Sequence, residues 1–281
     1  MFFQPVTGVG GYAGWRVLEQ TAPQQREVFD RSPTLQTNID YFRENIDKAQ
    51  TLDGLMDDRR LLTVVLGAFG LADEINKGGL IEKILEEGTE DDRSFANRFN
   101  DPRYIRLAEV FSYGNSLGIG DVTSVEFQED IIARYKVQEF ERAVGETDND
   151  MRLALNFKRE IAEFADPAID ERTAWLRLMA QQPLKQLMTT ALSIPASVDQ
   201  LDISRQQEIF AAKAEQLLGS SSLTIFEDPE KVDEAIRRFF LSRQLENGPS
   251  ETTPGTAALS LLQTTGGLGA ASTIGLILSQ Q

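Results

Sequence analysis

Apolar residues recur at three- and four-residue spacings along nearly the whole chain, and that period commits it to helices. Leu35, Ile39, Phe42 and Ile46 share one helical face behind Ser32-Pro33, which reads as an N-cap followed by proline at the first helical position. The run LLTVVLGAFGL, Leu61 to Leu71, is apolar almost all round. A helix of that kind is buried on every side, and this one is too short to span a membrane. Further helix starts are expected at Thr51 or Asp53, at Thr89 with Asp92 after Gly88, at Asp101-Pro102 and at Ser124. Others follow at Asp148, after Asp166-Pro167, near Pro183, after Ser197, after Asp202 and after Asp228-Pro229. Period-two alternation bounded by turns is almost absent, so the fold class is all-α.

The ends and the middle differ from this pattern. Residues 1–14 are Gly-rich and read as an extended arm. A first helix is expected from near Gly14 with Trp15, Val17 and Leu18, broken at Ala22-Pro23 and resuming to Arg31. Ser112 to Val125 holds Gly114, Gly118 and Gly120 and reads as an interdomain connection. A long helix follows from Ser124 to Val144, stopped by Gly145.

Three segment pairs recur in order. Phe42-Arg43-Glu44-Asn45-Ile46 parallels Phe157-Lys158-Arg159-Glu160-Ile161, Leu55-Met56 parallels Leu178-Met179, and Phe99-Asn100-Asp101-Pro102 parallels Phe226-Glu227-Asp228-Pro229. The offset grows along the chain, as loop insertions would make it. An internal duplication into two related helical bundles is the expected organisation. Its parts are an arm with short helices (1–31), a first repeat (32–116), a linker, long helix and second repeat (117–245), and an uncharged tail (246–281).

The chain of 281 residues carries 28 basic and 44 acidic residues, a net charge of −16. Such a surface repels phosphate backbones, so nucleic acid is not an expected partner. The chain contains neither cysteine nor histidine. That excludes disulfides, thiolate nucleophiles, Ser-His-Asp catalysis and imidazole metal ligation. Remaining chemistry would need carboxylates, Lys, Tyr or a bound cofactor, and the expectation is a non-enzymatic protein with no cofactor and no metal. MFFQPVTGVGGYAGW lacks a basic n-region and a long apolar core, so the expected location is cytoplasmic or along an export route that needs no Sec signal.

Motif candidates weigh little against simpler readings. Gly8 to Ala13 fits G-x-G-x-x-A, but too few residues precede it to form the buried strand a dinucleotide site requires. The acidic run Glu86 to Asp92 does not have the ligand spacing of a calcium loop and reads as a solvated loop with a helix cap, as do Glu146, Asp148 and Asp150. Arg93, Arg98, Arg103 and Arg106 surround the Phe99-Asp101-Pro102 corner, where local ion pairs are expected before phosphate binding.

The tail stands apart, for no charged residue follows Glu251. It could be a membrane anchor, a docking segment that orders on a partner, or a segment packed on the body; interior Gly, Thr, Ser and Gln and the missing basic flank disfavour the anchor. Candidate partner-binding residues are Tyr12 and Trp15 in the arm and Leu259, Leu262, Leu268, Ile274, Leu276 and Ile277 in the tail.

Several segments together resemble a known family. They are Gly10 to Trp15, Asp58-Arg59-Arg60-Leu61-Leu62 with Gly67 to Leu71, Ala96 to Phe99 with Asp101 and Tyr104, and Phe140 to Gly145 with Arg152 to Leu155. In this order they resemble the alphaproteobacterial domain-of-unknown-function family 1217, over residues 1 to about 245; the tail lies outside the resemblance. Members are often encoded among flagellar genes, so the resemblance implies a bacterial, flagellum-associated structural or assembly protein whose partners are other protein subunits. It supplies no catalytic residue. A cytoplasmic chaperone or regulator of an export substrate is the alternative, and a carboxylate- or Lys-based enzyme a third.

Overall fold

The computed structural model describes residues 5–8, 10–99 and 101–247. Among these the chain forms only helices, turns and loops. They are α1 (Gly11–Asp30), α2 (Pro33–Asn45), α3 (Leu52–Asp57), α4 (Arg59–Ala68), α5 (Gly78–Glu87), α6 (Phe95–Phe99), α7 (Pro102–Phe111), α8 (Val125–Thr147), α9 (Asn149–Glu160), α10 (Glu171–Ala180), α11 (Gln182–Ala191), α12 (Ile203–Leu218) and α13 (Pro229–Asn247). The all-α reading is correct.

Most helix starts use the side chains the sequence offers. Ser124 accepts from Phe127 N at 3.2 Å, Asp148 from Asp150 N at 2.9 Å, and Asp202 from Arg205 N at 3.0 Å. Each satisfies an amide that the first turn leaves without a partner. Asp58 does more. It caps α4 through Leu61 N (3.0 Å), accepts from Tyr41 Oη (2.8 Å) and pairs with Lys48 Nζ (2.7 Å). Burial alone would raise its pKa; the bonds from Lys48, Leu61 N and Tyr41, with the Lys48 charge, hold it down at about 2.

Four local readings need correction. First, α1 is one helix with Pro23 inside it. Its buried stripe of Trp15, Leu18, Ala22 and Phe29 runs unbroken past the proline, and burying that stripe outweighs a local cost of about 3 kcal/mol. Second, Thr51 and Asp58 cap two successive helices, α3 and α4, in place of one. Third, no helix opens at Thr89. Its amide donates to Asn115 Oδ1 at 2.8 Å, and α6 begins only at Phe95. Fourth, α8 runs through Gly145 to Thr147. The glycine is there for a close approach: a Cβ would lie 2.4 Å from Arg152 Cδ, so its absence lets Arg152 cross the helix.

The stretch Ser112 to Val125 is fastened to the first half. Tyr113 Oη donates to Ala49 O, Ser116 N donates to a Glu90 carboxylate oxygen at 2.8 Å, and Val122 is fully buried. Nor are residues 5–8 loose: Val6 N and O both bond the Gln25 side chain, at 2.8 and 3.0 Å.

One continuous apolar core joins both halves. The principal neighbours form a closed circuit, in which α2 packs on α4, α4 on α8, α8 on α9, α9 on α11, α11 on α13, and α13 on α1, which returns to α2. The apolar run Leu61 to Leu71 sits centrally, as its pattern requires, with Leu61, Val64, Val65 and Leu66 fully buried. At the α1–α13 contact Trp15 stacks on Phe240, their ring centroids 6.0 Å apart. Lys158 bridges Glu19, and Arg16 lies 4.0 Å from Asp233.

After α1, the order is helix, 3-10 turn, two helices, 3-10 turn, helix, short helix and helix, and a matching order follows α8, with the 3-10 turn Leu223–Glu227 standing where α6 stands. Some neighbours correspond, such as α2 with α4 and α9 with α11, but α11 packs chiefly on α13 whereas α4 packs chiefly on α8. Duplication stays a proposal, resting on this order of elements and on the three sequence matches.

Candidate functional site

Between the α8–α9 elbow and the start of α11 lies a polar cleft of about 560 Å³. Residues 70–74, after α4, line one side, and Gln181, Gln182, Pro183 and Gln186 line another. Its floor comes from α8 and α9, and on α9 it takes Arg152, Asn156 and Glu160, one turn apart and so on one face.

Behind the floor is a buried ion network. Glu141 on α8 and Glu160 on α9 are each 3% exposed. Arg159 grips Glu141 with two bonds, Nε at 2.7 Å and Nη2 at 2.9 Å, and also contacts Glu160. Arg106 on α7 reaches Glu160 at 2.9 Å and pairs with Glu163. Two guanidiniums and two buried carboxylates thereby tie α7, α8 and α9 together. Removing one member of such a set costs about 3–5 kcal/mol, because its partner is left charged and dry.

The cleft wall continues this pairing. Arg142 holds Glu139 at 2.6 Å and Glu146 at 2.8 Å; the Glu139 bonds, opposed by burial, raise the guanidinium's pKa. Arg103 holds Asp101 at 2.7 Å and donates to Gly70 O at 2.8 Å. Tyr135, beneath α4, is pushed up to about 12, by burial first and then by Glu139.

Two buried amides of the cleft stand outside this pairing. Gln181 is 2% exposed, and its Nε2 has no hydrogen-bond partner. Asn156 Oδ1 is likewise buried and unpartnered. Sequence reasoning did not single these out, since an isolated Gln or Asn carries no signal until the fold encloses it.

The sequence-chosen residues lie elsewhere. Trp15 must be corrected: at 1% exposed and stacked on Phe240, it is a core residue with no face for a partner. Tyr12 is partly buried, beside Glu230, Lys231, Asp233, Glu234 and Arg237 of α13. Leu259, Leu262, Leu268, Ile274, Leu276 and Ile277 lie outside the described residues, as does the uncharged tail with its anchor, docking and packing alternatives. Among the described residues no helix is long and apolar enough to cross a membrane.

The other motifs have structural uses. Gly11 to Ala13 of this motif are already the first residues of α1, and residues 5–7 form no strand before it. In the acidic run, Glu87 accepts from Phe95 N at 2.7 Å and Glu90 accepts from Ser116 N and Oγ. Arg103 and Arg106 of the corner arginines are ion-paired, as expected.

The family model described as "Protein of unknown function (DUF1217)" matches residues 68–232, which include every cleft residue except Gly67. An X-ray crystal structure of a protein from Agrobacterium tumefaciens is similar to this chain, with a TM-score of 0.68 and 27% identity. That match covers 88% of this chain and 98% of the other. No curated protein matches.

Proposed function

This chain belongs to the DUF1217 family of proteins of unknown function, and from that premise we propose that it is a non-enzymatic, flagellum-associated assembly protein. It acts by holding other protein subunits. The flagellar part comes from the family resemblance, whose members are often encoded among flagellar genes. The holding part rests on one observation: most charged groups of the cleft are already ion-paired, Arg103 with Asp101, Arg142 with Glu139 and Glu146, and Glu141 with Arg159. Charges fixed in this way suit recognition better than proton transfer.

An in-frame deletion scored for swimming and filament assembly tests the flagellar role. Impaired assembly is expected; normal swimming with normal filaments refutes it. Fractionation then separates an exported component, found in supernatant or hook–basal bodies, from a cytoplasmic chaperone recovered with one export substrate at fixed stoichiometry. A chain ending at Gly248 tests whether the uncharged tail carries the assembly contact.

A further inference from the structure

The start of α11 is built without a side-chain cap. Gln181 occupies the N-cap position and makes no capping bond, and Pro183 follows within the first turn. Pro183 has no N–H and Lys185 N bonds Gln181 O at 2.9 Å, so Gln182 is the residue that brings an uncapped first-turn amide, with the helix's partial positive charge, to this end of the cleft. Beside it the Gln181 amide is buried with an unpartnered Nε2. A buried amide left in this state destabilises the free protein. Arg152 approaches across Gly145; it bonds Asn149 Oδ1 at 3.0 and 2.8 Å and forms no ion pair among the described residues. Amides, guanidinium and helix end together suit a carboxylate.

A bare anion would nevertheless be poorly received. The lining holds six carboxylates against three guanidiniums. One turn from Arg152, about 6 Å along α9, the buried Asn156 Oδ1 lacks a donor. The second need of the site is thus a cationic N–H group close to the carboxylate. We infer that this cleft binds a free zwitterion of the α-amino-acid class, with its carboxylate at the α11 N-terminus, Gln181 and Arg152, and its ammonium at Asn156. The cleft's 560 Å³ leaves room for a side chain. This inference does not depend on the flagellar assignment.

Calorimetric titration of the full chain with each common L-amino acid tests it. For the tightest ligand, the same titration is run with the matched acid lacking the amine and the matched amine lacking the carboxylate. At least one amino acid should bind, and each matched compound should bind about tenfold more weakly or worse. Gln181→Leu and Arg152→Gln should each weaken binding by about tenfold. Gln181→Leu should also raise the thermal midpoint of the free chain, since it removes an unpartnered amide. Arg152→Gln, on a partly exposed helix face, keeps the test decisive should the buried substitution fail to fold. The inference is overturned if no amino acid binds at millimolar concentration, if the amine-free acid binds equally well, or if the folded variants keep full affinity.

Discussion

Replacing Asp58 should produce a stability change whose size depends on pH and on what replaces it. The carboxylate has three partners, the Leu61 amide, Tyr41 Oη and Lys48 Nζ, at 3.0, 2.8 and 2.7 Å. Its pKa is 3.8 when unperturbed and about 2 in the fold. In full, that difference would favour folding by about 2.5 kcal/mol. Lys48 is nearly half exposed, at 45% of its side chain, so water screens the pair and about 1 kcal/mol is the better figure. Because the folded value lies below the unfolded one, this stabilisation is complete above the unfolded pKa. It fades as pH falls from about 4 towards 2. Asp58→Asn keeps the cap through Oδ1 but puts an amide N–H where Oδ2 accepts from Tyr41 Oη and Lys48 Nζ, so it should cost about 1–2 kcal/mol at neutral pH. Asp58→Ala loses the cap as well, for a total of about 2–3 kcal/mol. Urea unfolding followed by circular dichroism, repeated at several pH values, reads both. The gap between wild type and Asp58→Asn should shrink as pH falls from about 4 towards 2, and the gap to Asp58→Ala should narrow less completely. An Asn variant as damaging as the Ala variant, or a gap unchanged by acid, would refute this account of the residue.

Trp15→Ala should cost about 3–5 kcal/mol, since a fully enclosed indole and its stacking on Phe240 are lost together. A loss of less than about 1 kcal/mol in urea unfolding would mean that Trp15 is a surface residue after all. Gly67→Ala should destabilise by about 1–3 kcal/mol, because its Cβ would meet Tyr135 Cε2 at 2.8 Å where α4 lies on α8. Combining it with Tyr135→Leu should recover part of that loss; a strictly additive double variant would mean that the two positions do not touch.

Helical segments were readable where one physical signal dominated. Leu35, Ile39, Phe42 and Ile46 are all buried, and the apolar run from Leu61 lies at the centre, because burial follows period and period is visible in sequence. Caps at Asp101, Ser124, Asp148 and Asp202 were readable for the same local reason. Errors arose where distant contacts overrule local preference. Pro23 does not end α1 because a continuous stripe packs across it, and Gly145 lies inside α8, where its missing Cβ leaves room for Arg152. The cleft was not readable at all. Arg152, Asn156 and Gln181 are ordinary residues on two helices, and their meaning comes from enclosure. Reading Trp15 as a partner contact failed through its neighbourhood, since a Gly-rich opening suggests exposure and its partner Phe240 lies at the far end of the chain.

That pairing bears on how the protein is made. Trp15 leaves the ribosome early and Phe240 late, so the indole must wait while more than two hundred residues are synthesised between them. Until α13 arrives, α11 lacks its main neighbour and α1 presents an uncovered aromatic face. The body can therefore complete itself only once α13 is free of the exit tunnel. Any factor that attends the nascent chain would meet α1 with its stripe still open.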